Sequence, residues 1–404
     1  MDFENLVREA ESVCEKKIKE VTETGKKNEL KVLDAFRKAE VDEYTVSLRS
    51  TGYGYNDKGR EVLSKVFSLS LGAEDAIVLP QLISGTHAIS SVFFSLLRPQ
   101  DTLLSITGPV YDTLKDVIDS LNDWGIRYQE IPFDYRTDTD YIKSLVKEVP
   151  KVIFIQRSCG YNWSRNSLTI EEIEELVYNI KKIFPDSIIL IDNCYGEFVE
   201  EREPLEVGAD IIVGSLIKGI GGNLAPTGAY IAGKKDFIDA IGERITAPGQ
   251  GIEIGPTLGL QREILQGLLF APHFVAESLK GLTVGAYILE KLGFNVLPKW
   301  EEKRGDAVQR VILKDEEKLI RFLQGIQSAC PVNSTYLPEP QDLPGYDAPV
   351  ILAGGGFVQG STGEFSADGI LKPPYVAFIQ GGYSSNPVVA GIIMGIERIF
   401  KEGK

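Results

Sequence analysis

Between about residues 60 and 270 the chain repeats one pattern: a short apolar run, then a stretch with helical spacing. The runs are Ala76–Leu79, Leu103–Ile106, Val152–Ile155, Ile188–Ile191 and Ile211–Val213, followed by Ala229–Ile231. A strand with one face in water alternates apolar and polar residues, whereas a strand covered on both faces reads as a continuous apolar run. Such runs separated by helices predict an α/β fold with a mostly parallel sheet between two helical layers. Little else accommodates them.

Flanking segments complete the outline. Residues 1 to about 45 carry Val32, Leu33 and Phe36 among many charges and predict helix. STGYGYNDKGR, residues 50–60, is rich in Gly, Asn and Asp and predicts a loop. A long helix is expected from about Gly259 to Leu292. Beyond it come short strands, many Gly and Pro residues, and a final helix ending near Phe400. At 404 residues the chain exceeds one simple core, so more than one domain is expected. The division read here is an N-terminal helical arm (1–50), a large α/β domain (51–280) and a smaller C-terminal α+β domain (281–404).

Bulk chemistry narrows the partners. A net charge of −15 argues against a nucleic-acid groove or an anionic membrane surface. No apolar run reaches the length of a membrane span, and the charged N-terminal stretch lacks a signal-peptide core, so a cytoplasmic location is expected. Four scattered cysteines and two histidines predict neither a disulfide framework nor a metal site.

In open parallel sheets, ligands sit beyond the carboxyl ends of the strands. Four such ends carry polar groups here. Asp192 follows Ile188–Ile191 directly, and Ser215 and Lys218 follow Ile211–Val213 in GSLIKGIGG. An acid and a lysine so placed suit an enzyme that holds pyridoxal phosphate. The lysine amine condenses with the aldehyde, and the carboxylate keeps the ring nitrogen protonated. SGTHA, residues 84–88, would offer the N–H groups of Gly85 and Thr86 to a phosphate at a helix N-terminus. Tyr111, after Leu103–Ile106, could stack on the pyridine and carry a proton. Each has a plainer reading: an N-cap by Ser84 or Thr86, a half-buried tyrosine, a helix-capping Asp192, a surface lysine in a Gly-rich loop. Their convergence at strand ends carries the argument. GGGFVQGSTGEFSADG, residues 354–369, reads either as a loop closing over substrate or as a structural turn.

With these residues in hand, the chain resembles the cysteine/methionine-metabolism group of fold-type I pyridoxal-phosphate enzymes. More closely it resembles the methionine gamma-lyase-like branch, often called the aluminium resistance family. The pieces that carry the likeness are TGYGYNDKGRE, SGTHA, QRSCGY, IDNCYGEF and GSLIKGIGGNLAPTG. The resemblance implies that Lys218 forms the Schiff base, Asp192 partners the ring nitrogen and Tyr111 stacks. It assigns Gly85, Thr86 and Ser215 to the phosphate. It implies a homodimer or homotetramer with shared sites, in which Tyr55, or next Tyr53, reaches the neighbour's phosphate. The arginine expected two residues after that tyrosine is replaced by Asp57, with Arg60 as a substitute. The family's C-terminal arginine for the substrate carboxylate is also missing, since Arg398 in the last helix is the one arginine after residue 340. Arg157, Arg165 and Lys372 are the replacements considered.

The implied activity is a carbon–sulfur lyase acting on a sulfur-containing amino acid by β- or γ-elimination. Transamination or aldol cleavage would use the same lysine and aspartate, and a non-catalytic stress-resistance role is the reading outside enzymes.

Overall fold

A computed structural model of the chain describes residues 2–400. Seven strands form the large sheet: β1 Asp75–Leu79, β2 Thr102–Ser105, β3 Arg127–Glu130, β4 Val152–Gln156, β5 Ile188–Asp192, β6 Ile211–Ser215 and β7 Ala229–Gly233. Their order is β1-β7-β6-β5-β4-β2-β3. From β6 through β3 every pairing is parallel, whereas β7 runs antiparallel to both β6 and β1. β4, β5 and β6 are buried throughout, as their apolar runs require. Apolar side chains from the two faces of this sheet enter separate clusters, one with Phe67, Leu176 and Leu268, the other with Phe93, Ile118 and Ile241. β3 was not foreseen. As an edge strand (RYQE) with exposed ends, it has no continuous apolar run to announce it.

A second sheet comprises β8 Asn295–Leu297, β9 Val308–Ile312, β10 Val350–Gly354, β11 Ser366–Ile370 and β12 Val376–Gln380, all antiparallel, in the order β10-β11-β12-β9-β8. One face packs Ile351, Ala367, Ala377 and Ile379 against the helices Glu316–Ser328 and Ser385–Phe400. Because strand side chains alternate, Leu352, Asp368 and Phe378, aligned by register, share the other face.

Two long helices join the sheets. Phe3–Lys38 opens with the Asp2 carboxylate accepting from Asn5 N–H and lies along Gln261–Lys291. Gly25 permits the approach, since a Cβ there would sit 2.8 Å from the Ala276 Cβ. The N-terminal helix gives Val32 and Ala35 to the large-sheet core and Ala10 and Cys14 to the small-sheet core. It is integral to both layers, and the division drawn at residue 280 falls inside one continuous helix. Among the described residues no helix is long and apolar enough to cross a membrane.

Candidate active site

Where the carboxyl ends of β4, β5 and β6 face the small sheet, they border a cavity of about 770 Å³. Strand register sets Gln156, Asp192 and Val213 abreast, and β6 ends two residues later at Ser215. Lys218 follows in a turn closed by its N–H on the Ser215 carbonyl. Gly221 and Gly222 allow that turn: a Cβ at the first would land on the Leu216 carbonyl and at the second on that of Gly267. Gly222 also takes a φ of +53°, which side-chain-bearing residues rarely adopt.

Gly85, Thr86, Tyr111, Asp192, Ser215 and Lys218 all line this cavity. Ser84 caps the helix Gly85–Leu96, its hydroxyl accepting from His87 N–H at 3.0 Å. Thr86 is therefore not the cap. Its Oγ1 lies 3.2 Å from both the Tyr111 hydroxyl and Thr113 Oγ1. Gly85 sits close beneath, where a Cβ would approach Cys194 Sγ at 3.4 Å and Ser215 Cβ at 3.7 Å.

Electrostatics set the protonation states. Burial lowers the Lys218 pKa below the usual lysine range, against the opposing pull of Cys194 and nearby acids. Burial raises the Asp192 carboxyl, while the Cys194 N–H, donating to Oδ1 at 3.1 Å, and the Lys218 charge favour its ionised form. Tyr111 is held well above the ordinary tyrosine value, by burial first and the Asp192 charge second, so its hydroxyl keeps its proton. Cys194 also borders the cavity, and burial and the Asp192 charge keep it a thiol. Cys159, also raised by burial, packs instead against Val308, Val376 and Phe378.

One residue that sequence reading passed over joins the two halves of the site. The Lys218 amine donates to the Tyr195 hydroxyl at 2.7 Å, which donates to Gln380 Oε1 at 3.0 Å; Gln380 Nε2 donates to Asp368 Oδ2 at 3.1 Å. Tyr195 adopts a left-handed backbone, φ +69°, which costs about 1–2 kcal/mol for a side-chain-bearing residue. Its neighbours in IDNCYGEF were noticed. Nothing local announced that its partner lies 185 positions away.

The arginines considered for a substrate carboxylate lie elsewhere. Arg157 is fully buried and donates to Leu168 O, Gly196 O, Asn193 Oδ1 and Glu200 Oε1. Arg165 donates to the carbonyls of Gln156 and Ser158 and lies over the Phe133 ring. Lys372 is exposed beside β11. None of the three borders the cavity. Both arginines fasten loops, because a buried guanidinium needs several acceptors, and backbone carbonyls with nearby polar side chains supply them. Arg310, on β9, was not considered. It too is spent on carbonyls, those of Trp163, Arg165 and Leu297. Arg60 is buried and holds the carbonyls of Gly54, Glu253 and Gly255, and Asp57 caps the helix Lys58–Leu71. Tyr53 and Tyr55 lie outside the cavity and are 68% and 62% exposed. Residues 354–362 of the Gly-rich segment do line it, with Phe357 84% exposed.

The donor set fits pyridoxal phosphate. Asp192 is a buried carboxylate with no ion pair among the described residues, suited to a cationic ring N–H. Gly85 leaves room at a helix N-terminus, where the first N–H groups have no intrahelical acceptor. Lys218 stands near with a depressed pKa.

Comparisons with known proteins agree with this geometry. The family model for methionine gamma-lyase matches residues 3–400. The uncharacterized protein YnbB of Bacillus subtilis (strain 168) is 45% identical over 394 residues, covering 95% of this chain and 93% of that protein. A Listeria monocytogenes structure, of a protein proposed to be a cystathionine beta-lyase involved in aluminum resistance, superposes with a TM-score of 0.94 at 42% identity. The match covers 98% of this chain and 100% of that one. A carbon-sulfur lyase involved in aluminum resistance from Clostridium novyi NT gives a TM-score of 0.91 at 40% identity, over 98% of this chain and 95% of that one. The matches run the length of the chain, which belongs to the methionine gamma-lyase family and has the fold-type I architecture of pyridoxal-phosphate enzymes.

Proposed function

We propose that the protein is a pyridoxal-phosphate-dependent carbon–sulfur lyase that releases a thiol from a sulfur-containing amino acid. The observation that carries this is the placement of Lys218 and Asp192 beyond adjacent parallel strands, on one cavity with Tyr111. Lyase names on whole-length relatives add support.

Gly85, Thr86 and Ser215 would hold the phosphate, Tyr111 would lie against the ring, and Asp192 would receive the ring N–H. Bound there, the cofactor supplies an aldehyde for Lys218 and a ring that draws off the electrons left when Cα loses its proton. A lysine with a lowered pKa has more free amine at neutral pH, which suits Lys218 to take that proton. Tyr195 accepts from the lysine and fixes where its nitrogen points. The Tyr111 hydroxyl retains its proton and is the donor for the departing sulfur. The exposed Tyr55, with Tyr53 beside it, would complete the site of a second copy in a homodimer or homotetramer.

The test is product analysis with Lys218→Ala. Wild type should release a thiol, ammonia and a keto acid from a sulfur amino acid, and the variant should release none while its circular dichroism is unchanged. Appreciable thiol release by the variant rejects the mechanism. An amino-group transfer product from wild type would move the assignment to transamination.

A further inference from the structure

The small-sheet wall of the cavity has a chemistry that the proposed reaction leaves unused. Four charged side chains stand among the described lining residues: Asp112, Asp192, Lys218 and Asp368. Asp112 pairs with Lys115 at 2.7 Å. Asp192 and Lys218 are taken by the cofactor in the reading above. Asp368 is left over. Its Oδ2 accepts from Gln380; among the described residues its buried Oδ1 has no well-formed hydrogen bond, although the Tyr161 hydroxyl stands close enough to favour its ionised form.

Around Asp368 stand aromatic rings. Tyr161 meets Phe378 at 5.0 Å and 89°, and Tyr346 at 5.8 Å and 72°, so none is stacked flat on another. All three rings border the cavity, and Phe378 is the register partner of Asp368 across β11 and β12. Burial first, and the Asp368 charge after it, pushes up the hydroxyls of Tyr161, Tyr195 and Tyr346, which sets all three within reach of that carboxylate. Lys218 is the cation whose charge favours ionised Asp368, and in the reading above it is committed to the cofactor; a half-buried carboxylate so left, walled by aromatic rings, attracts a cation by direct charge and by the negative ring faces together.

We infer that Asp368 with Tyr161, Tyr346 and Phe378 forms a subsite for a positive charge carried on the substrate's side chain, an ammonium or sulfonium group. The inference rests on the lyase reading for the reaction, and on the small-sheet face alone for the charge. An uncharged thioether such as the methionine side chain leaves the carboxylate unpaired. A sulfonium side chain pairs with it and departs as a neutral thioether when the C–S electron pair returns to sulfur; for sulfur on Cγ, as in S-methylmethionine, Lys218 takes the α-proton and then a Cβ proton, whose bonding pair becomes the Cβ–Cγ double bond.

Two measurements on cofactor-loaded protein separate the outcomes, with wild type compared to Asp368→Asn. Calorimetric titration with tetramethylammonium, which can neither condense nor eliminate, should show saturable binding that weakens on the order of tenfold in the variant. Steady-state kinetics should favour S-methylmethionine over methionine in kcat/KM, and Asp368→Asn should collapse that preference. Tyr346→Leu, in a loop outside both sheets, should weaken tetramethylammonium binding too and keeps the test usable if Asp368→Asn fails to fold. Asp368-dependent tetramethylammonium binding without sulfur release from either amino acid would uphold the subsite and sink the lyase reading. Methionine turned over at least as well as S-methylmethionine, with tetramethylammonium unbound or bound equally by both proteins, would uphold the lyase and overturn the subsite.

Discussion

The cavity has two walls built on different rules. The large-sheet wall is the carboxyl edge of parallel strands, where each residue after an apolar run arrives at the same edge as its neighbours. The small-sheet wall is the broad face of antiparallel strands, where every second side chain points the same way. The first gathers Asp192, Ser215 and Lys218 by strand ending; the second gathers Leu352, Asp368 and Phe378 by register. A parallel edge therefore advertises its site in linear sequence, and an antiparallel face does not. Chemistry that all members of such a fold need can sit on the edge, while the face is free to choose the substrate.

Substitutions can break or sharpen this contrast. The largest effect is expected on the edge: Lys218→Ala should lower kcat on the order of a thousandfold or more, with unchanged folding by circular dichroism. Asp192→Asn comes next. Losing a charge-assisted partner worth about 1.5–3 kcal/mol should weaken cofactor affinity roughly tenfold to a hundredfold, read by spectral titration. Because burial already raises this carboxyl, the cofactor-free variant should melt no lower than wild type. A clear drop in its melting temperature would show that Asp192 supports the fold rather than the ligand.

Tyr195→Phe tests the link between the walls. It removes the acceptor for Lys218 and the donor to Gln380, so turnover should fall about fivefold to tenfold, the scale of one hydrogen bond. The pH optimum should move as well, since the lysine loses its partner; an unchanged pH profile would leave Tyr195 a packing residue. The smallest effect belongs to the face. Burial pushes Asp368 up to about 6, opposed by Lys218, Tyr161 and Gln380. A carboxyl raised on folding favours the folded state below its unfolded value, near 4, and that contribution is lost as pH rises through about 6. The melting temperature of cofactor-free wild type should thus fall, relative to Asp368→Asn, between pH 4 and 7. Parallel curves for the two proteins would contradict a carboxyl raised on folding at Asp368.

The legible part of the site was the part encoded by neighbours in the chain. Continuous apolar runs marked β4, β5 and β6, and the polar residue after each run was at the cavity. β3 escaped because an edge strand need not be apolar. Arg157 and Arg165 lie off the cavity for a related reason. Both follow a strand that ends at the site, yet a long side chain can turn away from its own backbone, and these two turned into the protein.

Sequence alone determined the layered α/β architecture, the mostly parallel sheet and the residues at its carboxyl edge, because strand burial and strand ending are written in short windows of residue type. Only the tertiary structure decided that Tyr195 reaches Gln380, that Asp368 faces the cavity, and that the arginines do not. Those outcomes depend on which face of the small sheet meets the large one. A period of two offers both faces equally, and contacts across nearly two hundred residues make the choice.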